Sequence, residues 1–183
     1  VLRNPARTQS PETLAVTKQS IMLEQIGIDI QIKKDIIKHL LSGIFKGCRI
    51  HYFDQEVTWE IENEDQVDNN SICFSLIRNK SEFPIKIEIT RTPDKNNEER
   101  EQYLAKIISD KLNCKTITNY KEQDKPMDYP SDSIIFEKGH AYFANDSNTM
   151  WADGEGGEVE IVREIDFVNY KFDDKGNLVN GSS

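Results

Sequence analysis

Residues 32–53 read IKKDIIKHLLSGIFKGCRIHYF, and within this stretch the apolar period changes from 3.6 to 2. Ile32, Ile36, Ile37, Leu40, Leu41 and Ile44 fall at helical spacing and make one apolar stripe. Asp29 is placed to cap this helix, and Gly43 stands where a terminating glycine belongs. From Cys48 the pattern is that of a strand: Cys48, Ile50 and Tyr52 alternate with Arg49, His51 and Phe53. Three further runs repeat it. Val57, Trp59 and Ile61 alternate with Thr58, Glu60 and Glu62; Ile72, Phe74 and Leu76 follow; and Ile85, Ile87 and Ile89 alternate with Lys86, Glu88 and Thr90. With polar links at 63–70 and 79–83, these runs predict an antiparallel meander with one apolar and one wet face.

Towards the N-terminus, Ser10-Pro11-Glu12 is a helix start, with a cap, a first-turn proline and an early carboxylate. The helix is expected to run to about Ile26 and to stop at Gly27. Downstream, Thr92-Pro93-Asp94 opens a central helix whose buried stripe is Tyr103, Leu104, Ile107, Ile108 and Leu112. A strand at 116–120, a loop at 121–132 and a hairpin turning at Lys138-Gly139 come next. Strands at 159–162 and 165–172 and a turn at 173–177 complete the pattern. The fold class this order gives is α+β: a mainly antiparallel sheet with N-terminal helices and one central helix packed on one face. One α+β domain is expected over 11–179, flanked by a loose segment at 1–10 and a loose tail at 180–183.

The composition excludes several classes. The chain has 183 residues, 37 % apolar and 30 % charged, which is globular in character. No apolar run approaches the roughly 20 residues of a membrane helix. The opening VLRNPARTQS has no apolar h-region, so no secretory signal is expected; the absent Met and the ending NGSS suggest a piece of something longer. Cys48, Cys73 and Cys114 are odd in number and lack C-x-x-C spacing, which argues against a disulfide framework or zinc knuckle and for a reducing cytoplasm. His39, His51 and His140 show no metal-ligand spacing, so no metal is expected and surface positions are the default.

A net charge of −9 argues against nucleic-acid binding, which needs clustered Lys and Arg. The charge is uneven. Residues 1–50 carry eight basic and four acidic side chains, whereas residues 51–68 hold seven carboxylates with no Lys or Arg, and 121–160 hold ten carboxylates against three Lys. Such fields steer a basic protein partner into contact. The leading expectation is therefore an acidic protein-binding module, of the inhibitor or immunity type, that neutralises a basic toxin or nuclease and needs no cofactor. Its expected contact residues are Glu60, Glu62, Glu64 and Asp65 in one segment and Trp151, Asp153, Glu155 and Glu158 in another. In this scheme the carboxylates set on-rate and specificity and Trp151 buries apolar surface.

An enzyme is the alternative expectation, in two forms. Glu158-Val159-Glu160 on a strand puts both carboxylates on one side. With Ser131-x-Ser133 and Arg91, this triplet resembles the E-x-E, S-x-S and strand-arginine elements of ADP-ribosyltransferases; the resemblance covers three short patches and implies a transferase using Glu158 and Glu160 on NAD. Alternatively, Cys114, His140 and Asn145 or Asp146 stand in the order of a cysteine hydrolase, although no glycine-flanked nucleophile elbow is present.

Overall fold

A computed structural model of the chain describes residues 22–55, 60–62, 64–90, 92–93, 95–121, 132–147, 149, 157–167 and 170–179. Nine strands and two helices follow in this order: β1 (Met22–Ile28), α1 (Lys34–Ile44), β2 (Arg49–Asp54), β3 (Glu60–Ile61), β4 (Ser71–Arg78), β5 (Ile85–Thr90), α2 (Asn97–Leu112), β6 (Thr116–Asn119), β7 (Asp132–Glu137), β8 (His140–Asn145) and β9 (Glu160–Ile165). They form a mixed α+β fold with a mostly antiparallel sheet of strand order β3-β2-β4-β5-β1-β6-β7-β8-β9.

The first strand sits in the middle. Residues 22–26, read above as the end of an N-terminal helix, lie in β1 and pair antiparallel with β5, while Gly27 and Ile28 at the end of the strand pair with β6. Residues 1–21, which carry the rest of that expected helix and the loose segment 1–10, lie outside the described residues. Met22–Ile26 has ordinary helix formers, but Glu24, Ile26 and Ile28 alternate onto one face opposite Ile89, Ile87 and Ile85. Pairing on both sides of a central strand outweighs the small helical preference of such residues.

The expected meander is also corrected. β2 and β4 are parallel, with Arg49 opposite Ser71 and Tyr52 opposite Phe74. The 55–70 link is long enough for a parallel crossover, and it carries β3 and a 3₁₀ turn at Glu64–Gln66 instead of a helix.

Both helices contribute to one core. Ile37 and Leu41 of α1 and Leu104, Ala105 and Ile108 of α2 cluster with Ile26, Ile28, Ile50, Phe74, Ile87, Ile89 and Phe136 of the sheet. Residue α1 starts at N-cap Lys33 and runs through Gly43 to C-cap Phe45; the left-handed glycine after it is Gly47, with φ +84°. Asp29 instead accepts the Lys115 N–H at 2.8 Å. Nor is the second sheet face wet as expected. Phe83, Ile117, Ile135, Ala144 and Val159 form a second cluster, and Lys86 and Glu88 are buried as an ion pair at 2.5 Å. Spaced two apart on β5, they neutralise each other, which lets that face be covered.

The chain's hairpin reads as expected. Lys138 and Gly139 join β7 to β8 with φ +51° and +85°, the left-handed pair of a type I′ turn. Lysine is a poor residue there and asparagine a good one. Lys138→Asn is expected to raise unfolding free energy by about 0.5–1 kcal/mol in urea denaturation; a loss of stability would contradict this turn geometry. Downstream, β9 is one strand ending at Ile165. The chain beyond leaves the sheet instead of continuing as a strand to Phe172, and Tyr170 and Phe172 stack edge-on against Tyr103 of α2.

Candidate functional site

The described parts of the two acidic segments lie at opposite borders of the sheet. β3 and the following turn mark one edge and β9 the other, eight strand spacings apart, or about 38 Å at 4.8 Å per spacing.

At the β3 edge the acidic run is partly neutralised. Glu62 binds Lys34 and Lys38 of α1, each at 3.0 Å, and these bonds hold its carboxyl below the usual carboxylate range. Asp68 faces Arg49 at 3.4 Å. Glu60 lies in β3, paired through its backbone with Asp54. Glu64 and Asp65 are exposed in the 3₁₀ turn. A run of carboxylates without Lys or Arg in its own sequence thus receives its cations from α1 and β2.

The β9 edge is more open. Glu158 and Glu160 are exposed on either side of the buried Val159, and the strand expected to carry the whole triplet begins only at Glu160. Glu164 and Asp166 are exposed further along. Glu82, from the loop before β5, joins them. Its carboxylate accepts the Val159 N–H, and partial burial and then the neighbouring Glu158 hold its carboxyl above the usual range. Sequence spacing gave no sign of Glu82, because the β4–β5 loop meets β9 only in three dimensions. Ile161 and Val162 are exposed at 47 % and 51 %. Arg163 lies over the Phe143 ring at 5.3 Å. At the far end, His140 meets Glu164 at 2.6 Å beside a cleft of about 480 Å³ lined by Lys106, Phe136, Ile165 and Phe167. Trp151, Asp153 and Glu155 lie outside the described residues.

The enzymatic arrangements fare as follows. Arg91 and Ser131 lie outside the described residues, and Ser133 is buried with its hydroxyl on Asp146 at 2.6 Å. Cys114 is buried in the core, its Sγ facing the Ile108 carbonyl, and burial pushes its thiol up to about 12. Such a thiol holds its proton at neutral pH and is a poor nucleophile. His140 is engaged with Glu164. Among the described residues, no three His, Cys, Asp or Glu side chains converge to hold a metal ion.

One histidine departs from the surface default. His51 is 5 % exposed, with Nδ1 at 3.1 Å from the Glu62 carbonyl and a buried Nε2 that has no hydrogen-bond partner. Since a carbonyl only accepts, Nδ1 is the donor in this contact.

The most perturbed carboxylates are buried between β1 and α2. Arg100 donates from Nε to Glu24 at 2.5 Å and from Nη1 and Nη2 to the Lys95 and Pro93 carbonyls at 3.1 and 2.7 Å. Glu24 also accepts the Thr92 hydroxyl at 2.8 Å; burial raises its carboxyl, and the Arg100 charge offsets that only in part. Next to it, Glu101 accepts the Gln25 N–H at 2.8 Å and contacts the Thr118 hydroxyl, and burial pushes it up to about 7. All these side chains are sealed from solvent, so they organise the fold and do not meet a partner.

No helix among the described residues is long and apolar enough to cross a membrane. No family model matches the chain, and it matches no curated protein and no solved structure.

Proposed function

We propose that the chain is an acidic protein-binding module that neutralises a basic partner, of the inhibitor or immunity type, with a toxin or nuclease as the partner class. The observation that carries this reading is the β9 border. Residues 158–167 hold four carboxylates and one Arg, and Glu158, Glu160, Glu164 and Asp166 are all exposed. Glu82 extends the patch from a second element. A field of this sign attracts the Lys- and Arg-rich surface of a nuclease and covers the place where phosphate would bind. The protonated Cys114 weakens the cysteine-hydrolase alternative. We place the activity in the cytoplasm, where Cys48, Cys73 and Cys114 stay free.

The reading is tested by capturing the partner on immobilised chain and measuring association kinetics with the purified pair. Glu158→Lys with Glu160→Lys is expected to slow association about ten-fold or more. Raising salt to roughly 0.5 M should slow the wild type similarly, since exposed charges are then screened. Both variant positions are exposed, so the melting temperature should hardly move. Unchanged association in the double variant, with the fold intact, would remove the assignment.

A further inference from the structure

We infer that β9 is a strand-addition site, and that the segment it receives is an extended stretch of the partner that carries both basic and apolar residues. This rests on the reading above and adds how the partner docks.

Among the described residues β9 is the terminal strand of the sheet, and Glu160 through Glu164 are all exposed. On the side away from β8, every second residue of such a strand turns its N–H and C=O outward, ready to pair. The other border is closed to this use. β3 has two residues, and Glu62 just beyond it is tied to α1 by Lys34 and Lys38. Two residues are too short an edge to template an added strand, whereas β9 has six.

Side chains on β9 select the occupant. Ile161 and Val162 offer apolar contact; the register sets Glu160 on the face of Arg163 and Glu164 on the face of Ile161, so each face offers one carboxylate, with Glu158 and Asp166 at either end. A segment with Lys or Arg among valine-like residues satisfies both, whereas a second copy of this chain, at −9, is repelled. The register shift between Phe143 and Ala144 leaves Val162 as the extra residue of a bulge. A bulge raises local twist and keeps long, flat partners from aligning, which favours a short segment.

The test uses two synthetic decapeptides at millimolar concentration, both alternating Lys and Val, the second N-methylated at its four central residues, two Lys and two Val. They carry equal charge, but the methylation removes donors on both sides of the strand, so the second peptide cannot complete a ladder in either orientation. Backbone amide exchange and chemical shifts are followed by NMR on the intact chain. The unmethylated peptide is expected to bind at least ten-fold more tightly, to slow exchange at amides within 160–165, and to weaken with salt. Val162→Pro should abolish the difference between the peptides, since a bulge position accepts proline without loss of the fold. Ile161→Lys, which keeps its N–H, should weaken binding of the unmethylated peptide as well. Equal binding of the two peptides, or protection centred on Glu64 and Asp65, would overturn strand addition and leave the acidic-module reading standing. Salt-insensitive binding, or none, would overturn strand addition, while the kinetics of the purified pair separately decide the module. Concentration-dependent dimerisation through β9 would overturn the choice of occupant.

Discussion

Replacing Arg100 by methionine is expected to cost about 3–5 kcal/mol of unfolding free energy, the usual penalty for removing one partner of a buried ion pair. Arg100 is 1 % exposed and Glu24 fully buried, so the change leaves a carboxylate without a counter-charge in the interior. It also strips donors from the Pro93 and Lys95 carbonyls, loosening the link from β5 into α2. For a chain of this length each kcal/mol corresponds to about 2–4 °C, so the melting temperature should fall by about 10 °C. Adding Glu24→Gln should recover part of the loss, because the uncompensated charge goes while the Thr92 hydroxyl keeps an acceptor. A loss below about 1 kcal/mol, or no recovery in the double variant, would show that the pair does not hold α2 to β1.

Glu101 gives the second large effect, and it depends on pH. The Thr118 hydroxyl has one proton and two acceptors in reach, the Gln25 carbonyl at 3.0 Å and the Glu101 carboxyl. If Thr118 donates to the carbonyl, Glu101 must supply the proton between them, which is the protonated form that burial favours. The folded-state value, about 7, lies above the ordinary 4.5, so the folded chain holds this proton more tightly than the unfolded one. The corresponding stability is whole below pH 4.5 and is lost as pH rises through 7, a contribution of about 3 kcal/mol. Glu24, also raised, acts in the same direction. Glu101→Gln places an amide where the acid proton was. Its stability should match wild type near pH 4.5 and exceed it by about 2–3 kcal/mol at pH 8. Denaturation curves of the two chains that stay parallel from pH 4.5 to 8 would refute the buried proton.

These side chains also show where sequence reading stops. The stripe Tyr103, Leu104, Ile107, Ile108 and Leu112 located α2 and found Leu104 and Ile108 in the core, but the buried face begins at Arg100 and Glu101. Apolar periodicity cannot show a charged pair facing inward, because its counter-charge comes from β1, 76 positions away. The same blindness placed Glu24 inside an expected helix and made Lys86 and Glu88 look like a wet face. Local signals fared better: the position of α1, whose expected stripe buries Ile37 and Leu41 but leaves Ile36 exposed, the strand at β5 and the Lys138-Gly139 turn each rest on neighbours a few positions apart. The parallel pairing of β2 with β4 was not legible, since alternation reports faces and not strand direction. In the candidate site, the exposed Glu158 and Glu160 were legible, whereas Glu82 beside them and the cations that answer Glu62 required the assembled fold.

The most direct measurement compares partner association for two doubly reversed chains of equal net charge. One carries Glu158→Lys and Glu160→Lys at the β9 border, the other Glu64→Lys and Asp65→Lys at the opposite edge. Equal charge makes any general attraction to basic proteins the same, so only location differs. A β9 interface predicts that the first chain associates at least ten-fold more slowly than the second, which should stay within about two-fold of wild type. Equal slowing of both chains, or greater slowing at Glu64 and Asp65, would contradict it.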